Sequence, residues 1–508
     1  MLKDFFESGK RRKYYILLYV LLIAIFFASS LQEMSITKLE VVMFLIVAIL
    51  GILLICYYDI NQKDLHKVAL VIILIFGIIC VFLTPVCDIC DESEHFIRSE
   101  LVSEGNIVPE FVQIPLTGEF GYKTISSANE MHLEKNNNFI VSGLTDSKIN
   151  YTESYFNSAF SQNPFYGYVA QAIGIDLAKF LDLNAIWMLW LGRLANLLLY
   201  AAICTIAIKK APVFKLGLLI TSCLPLAIYQ GASVSIDALI NALCILSIGY
   251  FLYMWKSSEK SLRWREIGVF YMGIILAGII KSPYLFLSLL IFIVPNSSFK
   301  DKKQRIISKL CVIGVFIIGI VWTVGYALPQ LDNSWRKDTY LMNNVSATGQ
   351  LLYMKNNPGK FTVTFLQCIP HFPKFFARIF EFSNGPGIYS SKLLGYLYLI
   401  LIAVISLIYP LKEKVKNLDR IKSLIVVILI FTSTLMIQYL TWASVGSGDI
   451  YSGVLPRYFI PLLVFIPFII NLNSTKFNIN RDMLNMVIMT LTISFISGMI
   501  MLTTVVRF

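Results

Sequence analysis

The chain has 508 residues, of which 57% are hydrophobic and 15% charged, with 43 Lys and Arg against 31 Asp and Glu for a formal net charge of +12. Soluble domains run nearer ~45–50% apolar and ~25% charged, so a mean hydropathy of +0.70 and repeated long apolar runs exclude an ordinary soluble fold. The surplus cations do not form a basic domain for nucleic acid; they fall in short runs beside apolar segments, at 10–13, 209–210, 300–305 and 412–416.

In chain order, the apolar runs predict an all-α, polytopic integral membrane protein with roughly thirteen transmembrane spans, at 14–31, 39–57, 67–84, 185–208, 214–230, 232–255, 266–281, 283–296, 307–328, 388–409, 422–444, 456–472 and 483–505. The first follows a basic run and lacks a small-residue cleavage site, so it reads as a retained helix. The organisation expected is N-terminal spans over 1–84, a long polar loop over 85–184, spans over 185–328, a second long loop over 329–387 and C-terminal spans over 388–508. With the N-terminus in the cytoplasm and strict alternation, the inner loops are 59–66, 209–215, 256–265, 297–305, 412–422 and 473–481, all basic or mixed. The two long loops then face outward and hold most of the Asp, Glu and Asn. Spans 266–281 and 283–296 meet at Lys281-Ser282-Pro283. Proline disfavours the right-handed helical region for the residue before it, so a bent or re-entrant pair is expected there. Residues 129–151 are polar and Asn-rich, suiting a loose loop or a short hairpin. In 349–378, Phe361, Phe365, Phe372, Phe375 and Phe376 alternate with Lys355, Lys360, Lys374 and Arg378. That pattern suits a helix on the outer membrane surface, or a loop packed on the ends of its own spans.

The most informative stretch is Cys87-Asp88-Ile89-Cys90-Asp91-Glu92-Ser93-Glu94-His95. Four carboxylates and an imidazole follow directly on an apolar span, where a membrane helix has little structural need of them. The nine cysteines lie mostly in apolar segments and behave there as small hydrophobes. Cys87 and Cys90 alone form a C-x-x-C, which reads as two unrelated cysteines, a small disulfide loop or metal ligands. Four ionisable residues lie inside or at the ends of other spans: Arg193, Asp237, Lys281 and Arg457. Each costs roughly 2.5–3.5 kcal/mol on insertion scales, and the topology puts all four in the outer half of the bilayer. They are either structural ion pairs, such as Arg193 with Asp237, or parts of one outward cavity for an anionic ligand that lives in the membrane. A lipid phosphate meets that description.

The run DESEHFIRSELVSEGNIVPE resembles the D-E-x-x-H-F…G signature of bacterial domain-of-unknown-function family 2142, with Ile89-Cys90 and Ser93 where that family usually has proline. NPFYGYVAQAIG, LGRLANLL, LPLAIYQGASVSIDALINAL and GVLPRYFIPLL are similar to further stretches of it, in order, so the resemblance covers about 85–470. That family in turn resembles the C-type (GT-C) glycosyltransferase superfamily, whose members take a sugar from a polyprenyl-phosphate carrier on the extracytoplasmic face, with acidic residues in the first long outer loop. Here that loop follows three spans, a departure from the superfamily's usual single helix. The resemblance implies a bacterial plasma-membrane enzyme, a polyprenyl-phosphate-sugar donor lipid, and a surface glycan, wall polymer or glycolipid as acceptor.

Such a transfer needs a base for the attacking hydroxyl and cations for the departing phosphate. Asp91 leads the motif and is the expected base. Glu92 and His95 are expected to share the catalysis. Glu94, Arg193, Asp237, Lys281 and Arg457 are expected to bind substrate. One base with direct displacement inverts the anomeric centre. The sequence specifies no cofactor; Glu92 or Glu94 with His95, or Cys87, Cys90, Asp91 and His95 together, could hold a divalent metal ion. A transporter or flippase of a lipid-linked glycan is the alternative, since it would share the outward cavity and the cations.

Overall fold

Long apolar runs without proline or charge become long helices. The computed structural model describes residues 2–30, 38–114, 118, 120–134, 143–158, 160–332, 336–378, 392–408, 414–471 and 480–505. Among them, seven helices are long and apolar enough to cross a membrane: Glu40–Ile60, Leu65–Leu83, Ile186–Lys210, Asp237–Trp255, Lys302–Leu331, Asn417–Thr441 and Arg481–Met501. Shorter apolar helices lie at Lys13–Ala28, Ser282–Phe292, Gly395–Val404 and Pro456–Ile470. Seven membrane-length helices among the described residues do not establish the thirteen spans expected, and several of the apolar runs are short or broken. Predicted span 214–230 is two helices, Lys215–Ser222 and Pro225–Gly231, with Pro225 opening the second. The start of predicted span 388–409 and most of predicted loop 473–481 lie outside the described residues.

The helix Asp237–Trp255 is buried nearly all round and forms the centre of the bundle. It packs between Ile186–Lys210 and Trp264–Ile280. Ile186–Lys210 also lies against Leu65–Leu83 and against the helix Val169–Phe180 of the first long loop. That last approach is tight: a Cβ on Gly174 would sit 2.2 Å from the Leu191 carbonyl oxygen. Lys302–Leu331 and Asn417–Thr441 are peripheral and expose rows of Ile, Leu and Val, as a lipid-facing helix does. The two ends of the chain meet where Lys13–Ser30 packs on Arg481–Val505, with the Tyr19 hydroxyl 2.9 Å from Ser497 Oγ.

Two segments carry the proline signal into unusual geometry. Ser282–Phe292 is a 3₁₀ helix of 11 residues, with Pro283 in its first turn. At ~2.0 Å rise per residue it covers roughly 22 Å, where an α-helix of that length covers roughly 16 Å. Runs of this length are uncommon for the 3₁₀ form. Pro456–Val464 is a second 3₁₀ segment, with Pro456 at its start and Pro461 inside, and it continues as the short helix Phe465–Ile470. The bent pair expected at Lys281-Ser282-Pro283 is therefore an α-helix followed by a stretched 3₁₀ helix.

The expectation of an all-α chain needs one correction. The first long loop holds a three-stranded antiparallel sheet, β1 (Phe111–Gln113), β2 (Phe120–Ile125) and β3 (Glu153–Phe156), in the order β1-β2-β3. Tyr122 is the pivot of the register, opposite Phe111 on one side and Phe156 on the other. Its buried ring belongs to a small core with Phe96, Ile97 and Met131, which sets the sheet against the helix Glu92–Ser103. Where a hairpin was considered over 129–151, the described part is the helix Ser126–Leu133 and a turn at Gly143–Thr145; residues 135–142 lie outside the description. The described part of the second long loop includes four short helices, Arg336–Met342, Ala347–Asn356, Pro358–Leu366 and Cys368–Ala377. Phe375 and Phe376 turn onto Phe459, and Phe361 onto Tyr439, so its aromatic residues pack on span ends.

Ion pairs sort onto two ends of the bundle. At one end Arg11 and Arg12 hold Asp59, Arg12 reaches Asp482, and Lys210 and Arg263 hold Glu266. At the other end lie Asp91, Glu92, Arg193, Asp237, Lys281 and Arg457. Among the described residues no ion pair joins an expected inner loop to an expected outer one.

Candidate functional site

The motif turns sharply as it leaves the span Leu65–Leu83. Cys87 and Asp91 both adopt left-handed backbone, with φ of 51° and 66°. Aspartate tolerates that region better than most residues. Asp91 is the N-cap of the helix Glu92–Ser103, so it and its neighbour leave the turn in different directions. Glu92 goes inward and Asp91 goes to the surface.

Glu92 meets Arg193, and both side chains are wholly buried. Arg193 Nε donates to Oε1 at 2.8 Å and Nη2 to Oε2 at 2.6 Å. Nη1 donates to the Val81 and Thr84 carbonyls, Nη2 to the Pro85 carbonyl, and Glu92 Oε1 also accepts from the Val234 backbone N–H at 3.0 Å. One ion pair thus ties the end of the first-loop span, the motif, the helix Ile186–Lys210 and the turn before Asp237. This corrects two expectations. Glu92 is not placed for catalysis, nor Arg193 for binding substrate, because neither reaches open space and each satisfies the other. Arg193 also pairs with Glu92 and not with Asp237.

The other three charged span residues do assemble, and Asp91 joins them. Arg457 Nη2 lies 3.1 Å from Asp91 Oδ2, Arg457 Nε 2.7 Å from Asp237 Oδ2, and Lys281 Nζ 3.7 Å from Asp237 Oδ1. The result is an alternating row, Asp91–Arg457–Asp237–Lys281. Lys281 Nζ also sits 3.0 Å from the centre of the Tyr458 ring, and the Tyr284 hydroxyl donates to the Tyr458 carbonyl. Each member stands at the start of a helix. Asp91 caps Glu92–Ser103, Asp237 begins Asp237–Trp255, Lys281 caps Ser282–Phe292, and Arg457 is the second residue of Pro456–Val464. Helix N-termini carry partial positive charge, each favouring an anion by roughly 0.3–1 kcal/mol. The two cations balance the two carboxylates, and the helix N-termini add partial positive charge to the row.

The two carboxylates differ. Asp237 is 12% exposed and spends one oxygen on each cation. Asp91 is 42% exposed, and its side-chain contacts, from Arg457 and from the Cys90 thiol at 3.2 Å, fall on Oδ2. Asp91 can therefore take a proton on Oδ1 while Arg457 stays paired.

His95 lies one turn along the helix from Asp91 and is 3% exposed. Its Nδ1 is 2.8 Å from the Tyr168 hydroxyl, which also accepts from Asn163 Nδ2 at 2.8 Å, and its ring packs on Phe160 at 4.4 Å. Burial pushes the imidazole down to about 4, opposed by the nearby charges of Asp237 and Asp91. It is neutral at physiological pH. Glu94 is part-exposed and accepts from Ser158 Oγ at 2.8 Å. Asp88 accepts from the Tyr229 hydroxyl at 3.0 Å, a structural contact. Cys87 and Cys90 are separate buried thiols, and burial raises the Cys90 thiol to about 11, so it stays protonated beside Asp91.

The ligand set considered for a divalent metal does not assemble. Glu92 is committed to Arg193 and His95 Nδ1 to Tyr168, and among the described residues no group of three His, Cys, Asp or Glu is placed to hold an ion. No metal step is derived for this site.

Sequence reasoning did not single out Tyr168, Asn163, Tyr458 or Arg98. Tyr168 and Asn163 lie in the NPFYGY run and Tyr458 follows Arg457 in LPRYF, so the signal was adjacency to residues already noted. Arg98 is wholly buried and donates to the Asn106 and Ile107 carbonyls. A cation three residues after His95 was the only hint of it.

No curated protein and no solved structure matches this chain. Residues 74–466, most of the chain and all of the site described above, match the family described as "Predicted membrane protein (DUF2142)", and the protein belongs to that family.

Proposed function

We propose that the protein is a membrane glycosyltransferase that moves a sugar from a polyprenyl-phosphate-linked donor to a surface glycan, wall polymer or glycolipid. The likeness of its family to the GT-C superfamily motivates the reading. The single observation that carries it is Asp91, an accessible carboxylate paired with Arg457, which Asp237 in turn links to Lys281. In this reading the site end of the bundle faces away from the cytoplasm of a bacterial plasma membrane, with the N-terminus inside, as the basic loops suggest.

The chemistry follows from those positions. Asp91 accepts the proton of the acceptor hydroxyl. That oxygen attacks the anomeric carbon, and the bond from carbon to the carrier phosphate oxygen breaks in the same displacement. The departing lipid phosphate takes the electron pair, and Arg457 and Lys281 stabilise its charge. Asp237 ion-pairs with both cations and so orients them. A single displacement inverts the anomeric centre.

A second reading draws on a specific observation. Ser282–Phe292 and Pro456–Ile470 are short apolar helices that begin at Lys281 and Arg457, and broken segments that open on charged residues are also used by transporters. Sugar transfer by purified protein in detergent, with no bilayer to cross, separates the two. Transfer in detergent excludes pure transport. Asp91→Asn expressed normally in its own membranes is expected to alter surface glycan composition, and unchanged glycans would remove the catalytic role of Asp91.

A further inference from the structure

The hydroxyl of Tyr168 is buried, and among the described residues it has two partners, Asn163 Nδ2 and His95 Nδ1, each at 2.8 Å. A hydroxyl carries one proton. An amide nitrogen can only donate, so it fills an acceptor position on the Tyr168 oxygen. The hydroxyl proton is then left with one acceptor, His95 Nδ1. If Nδ1 carried its own proton, two donors would face the Tyr168 oxygen and the hydroxyl proton would be buried without a partner. Leaving such a group unpaired biases a two-state equilibrium by roughly 5- to 150-fold.

We propose that Asn163 and Tyr168 are positioning residues that fix His95 as its Nε2–H tautomer, so that the imidazole meets the site as a hydrogen-bond donor and not as a base. The Nε2 atom makes no hydrogen bond among the described residues. It is the ring nitrogen left for a ligand, and an N–H there takes an oxygen acceptor. On the glycosyltransferase reading, on which this assignment of a ligand rests, that acceptor is an oxygen of the transferred sugar or of its phosphate.

Arg98 supports the arrangement. Its guanidinium lies 5.8 Å from the Tyr168 ring centre, and its Nη2 is 3.5 Å from the Asn163 carbonyl, so one buried cation pins both relay residues. The charges that act on His95 are Asp91 and Asp237, which favour a second proton, and Arg457 and Lys281, which oppose it. Burial outweighs this near-balance and keeps the ring neutral. The three residues therefore make a relay, Asn163 to Tyr168 to His95, that converts a side chain able to act as acid or base into a fixed donor.

The test reads the tautomer directly. The full chain, labelled with ¹⁵N-histidine and held in lipid nanodiscs, contains four histidines. Subtracting the spectrum of His95→Gln isolates the His95 signal. The expected result is a neutral ring with the proton on Nε2, in at least about fivefold excess, unchanged between pH 8 and pH 5.5. Tyr168→Phe is expected to erase the excess. Asn163→Asp supplies a carboxylate that takes the Tyr168 proton, and is expected to move the His95 proton to Nδ1 or to charge the ring. A wild-type signal from the Nδ1–H form, or from a ring that titrates near pH 6.5, overturns the proposal. So does an Asn163→Asp protein that elutes and melts as a folded chain with the His95 signal unmoved. Adding farnesyl phosphate, with farnesol as control, probes the ligand separately. A His95 shift with the phosphate alone supports the lipid-phosphate reading, and no shift counts against that reading while leaving the tautomer result standing.

Discussion

Two adjacent acids in one motif are expected to fail in opposite ways. Arg193→Ala leaves Glu92 wholly buried with its two charged hydrogen bonds removed and only the Val234 N–H remaining. Breaking one side of a buried pair costs roughly 3–5 kcal/mol, because the stranded charge stays desolvated. Glu92→Gln does the same from the other side, stranding a guanidinium that keeps three backbone carbonyls. At ~2.1 cal/mol/K of unfolding entropy per residue, a chain of 508 residues loses about 1 °C of melting temperature per kcal/mol, so a drop of about 3–5 °C is expected. The double substitution Glu92→Leu with Arg193→Met removes both charges and is expected to recover part of that loss. Asp91→Asn disturbs one half-exposed pair worth under about 1 kcal/mol and is expected to melt within a degree of wild type. The assay is the melting of purified protein in one detergent, followed by intrinsic fluorescence. Glu92→Gln melting as wild type while surface glycans change would refute the division of labour, and would return Glu92 to the chemistry.

Other outcomes follow from the same geometry. Lys281→Ala is expected to weaken binding of a lipid phosphate by tenfold or more, since a charge-assisted contact is worth roughly 1.5–3 kcal/mol; titration of farnesyl phosphate measures it, and equal affinity would place the phosphate elsewhere. His95 binds fewer protons folded, near 4, than unfolded, near 6.5. Its contribution to stability is therefore complete above pH 6.5 and falls toward pH 4 by up to ~1.4 kcal/mol per unit, so the melting temperature of wild type should drop below pH 6.5 relative to His95→Gln, and parallel curves would contradict this. A strong chelator is expected to leave turnover unchanged, because Glu92 and His95 Nδ1 are committed elsewhere; loss of turnover restored by a divalent ion would reverse that assignment.

Much of this was legible in the residues. Long apolar runs such as 186–210 and 237–255 need no tertiary context to become helices, and Pro283 and Pro456 marked the breaks. That the chain beyond each proline stretches into a 3₁₀ helix was not legible, since a proline marks a break without specifying the helix type that follows. The meeting of Asp91, Asp237, Lys281 and Arg457 was expected from their shared depth. Depth alone does not say which carboxylate takes which cation, so Arg193 was grouped with them although its partner is Glu92. The separation of Asp91 from Glu92 turns on one left-handed residue, and an aspartate does not announce that conformation as a glycine would. The sheet was hidden because its strands are short, three to six residues, within a polar loop.

The most direct test of the central claim is transfer by the purified protein in detergent, from a radiolabelled polyprenyl-phosphate sugar to acceptor glycan, compared with Asp91→Asn. General-base catalysis contributes roughly 10²–10⁴-fold. The account predicts transfer by the wild-type protein with inverted anomeric configuration, and a loss of that size in Asp91→Asn at unchanged melting temperature. Equal rates from the two proteins, or a product that retains the donor's configuration, would contradict it.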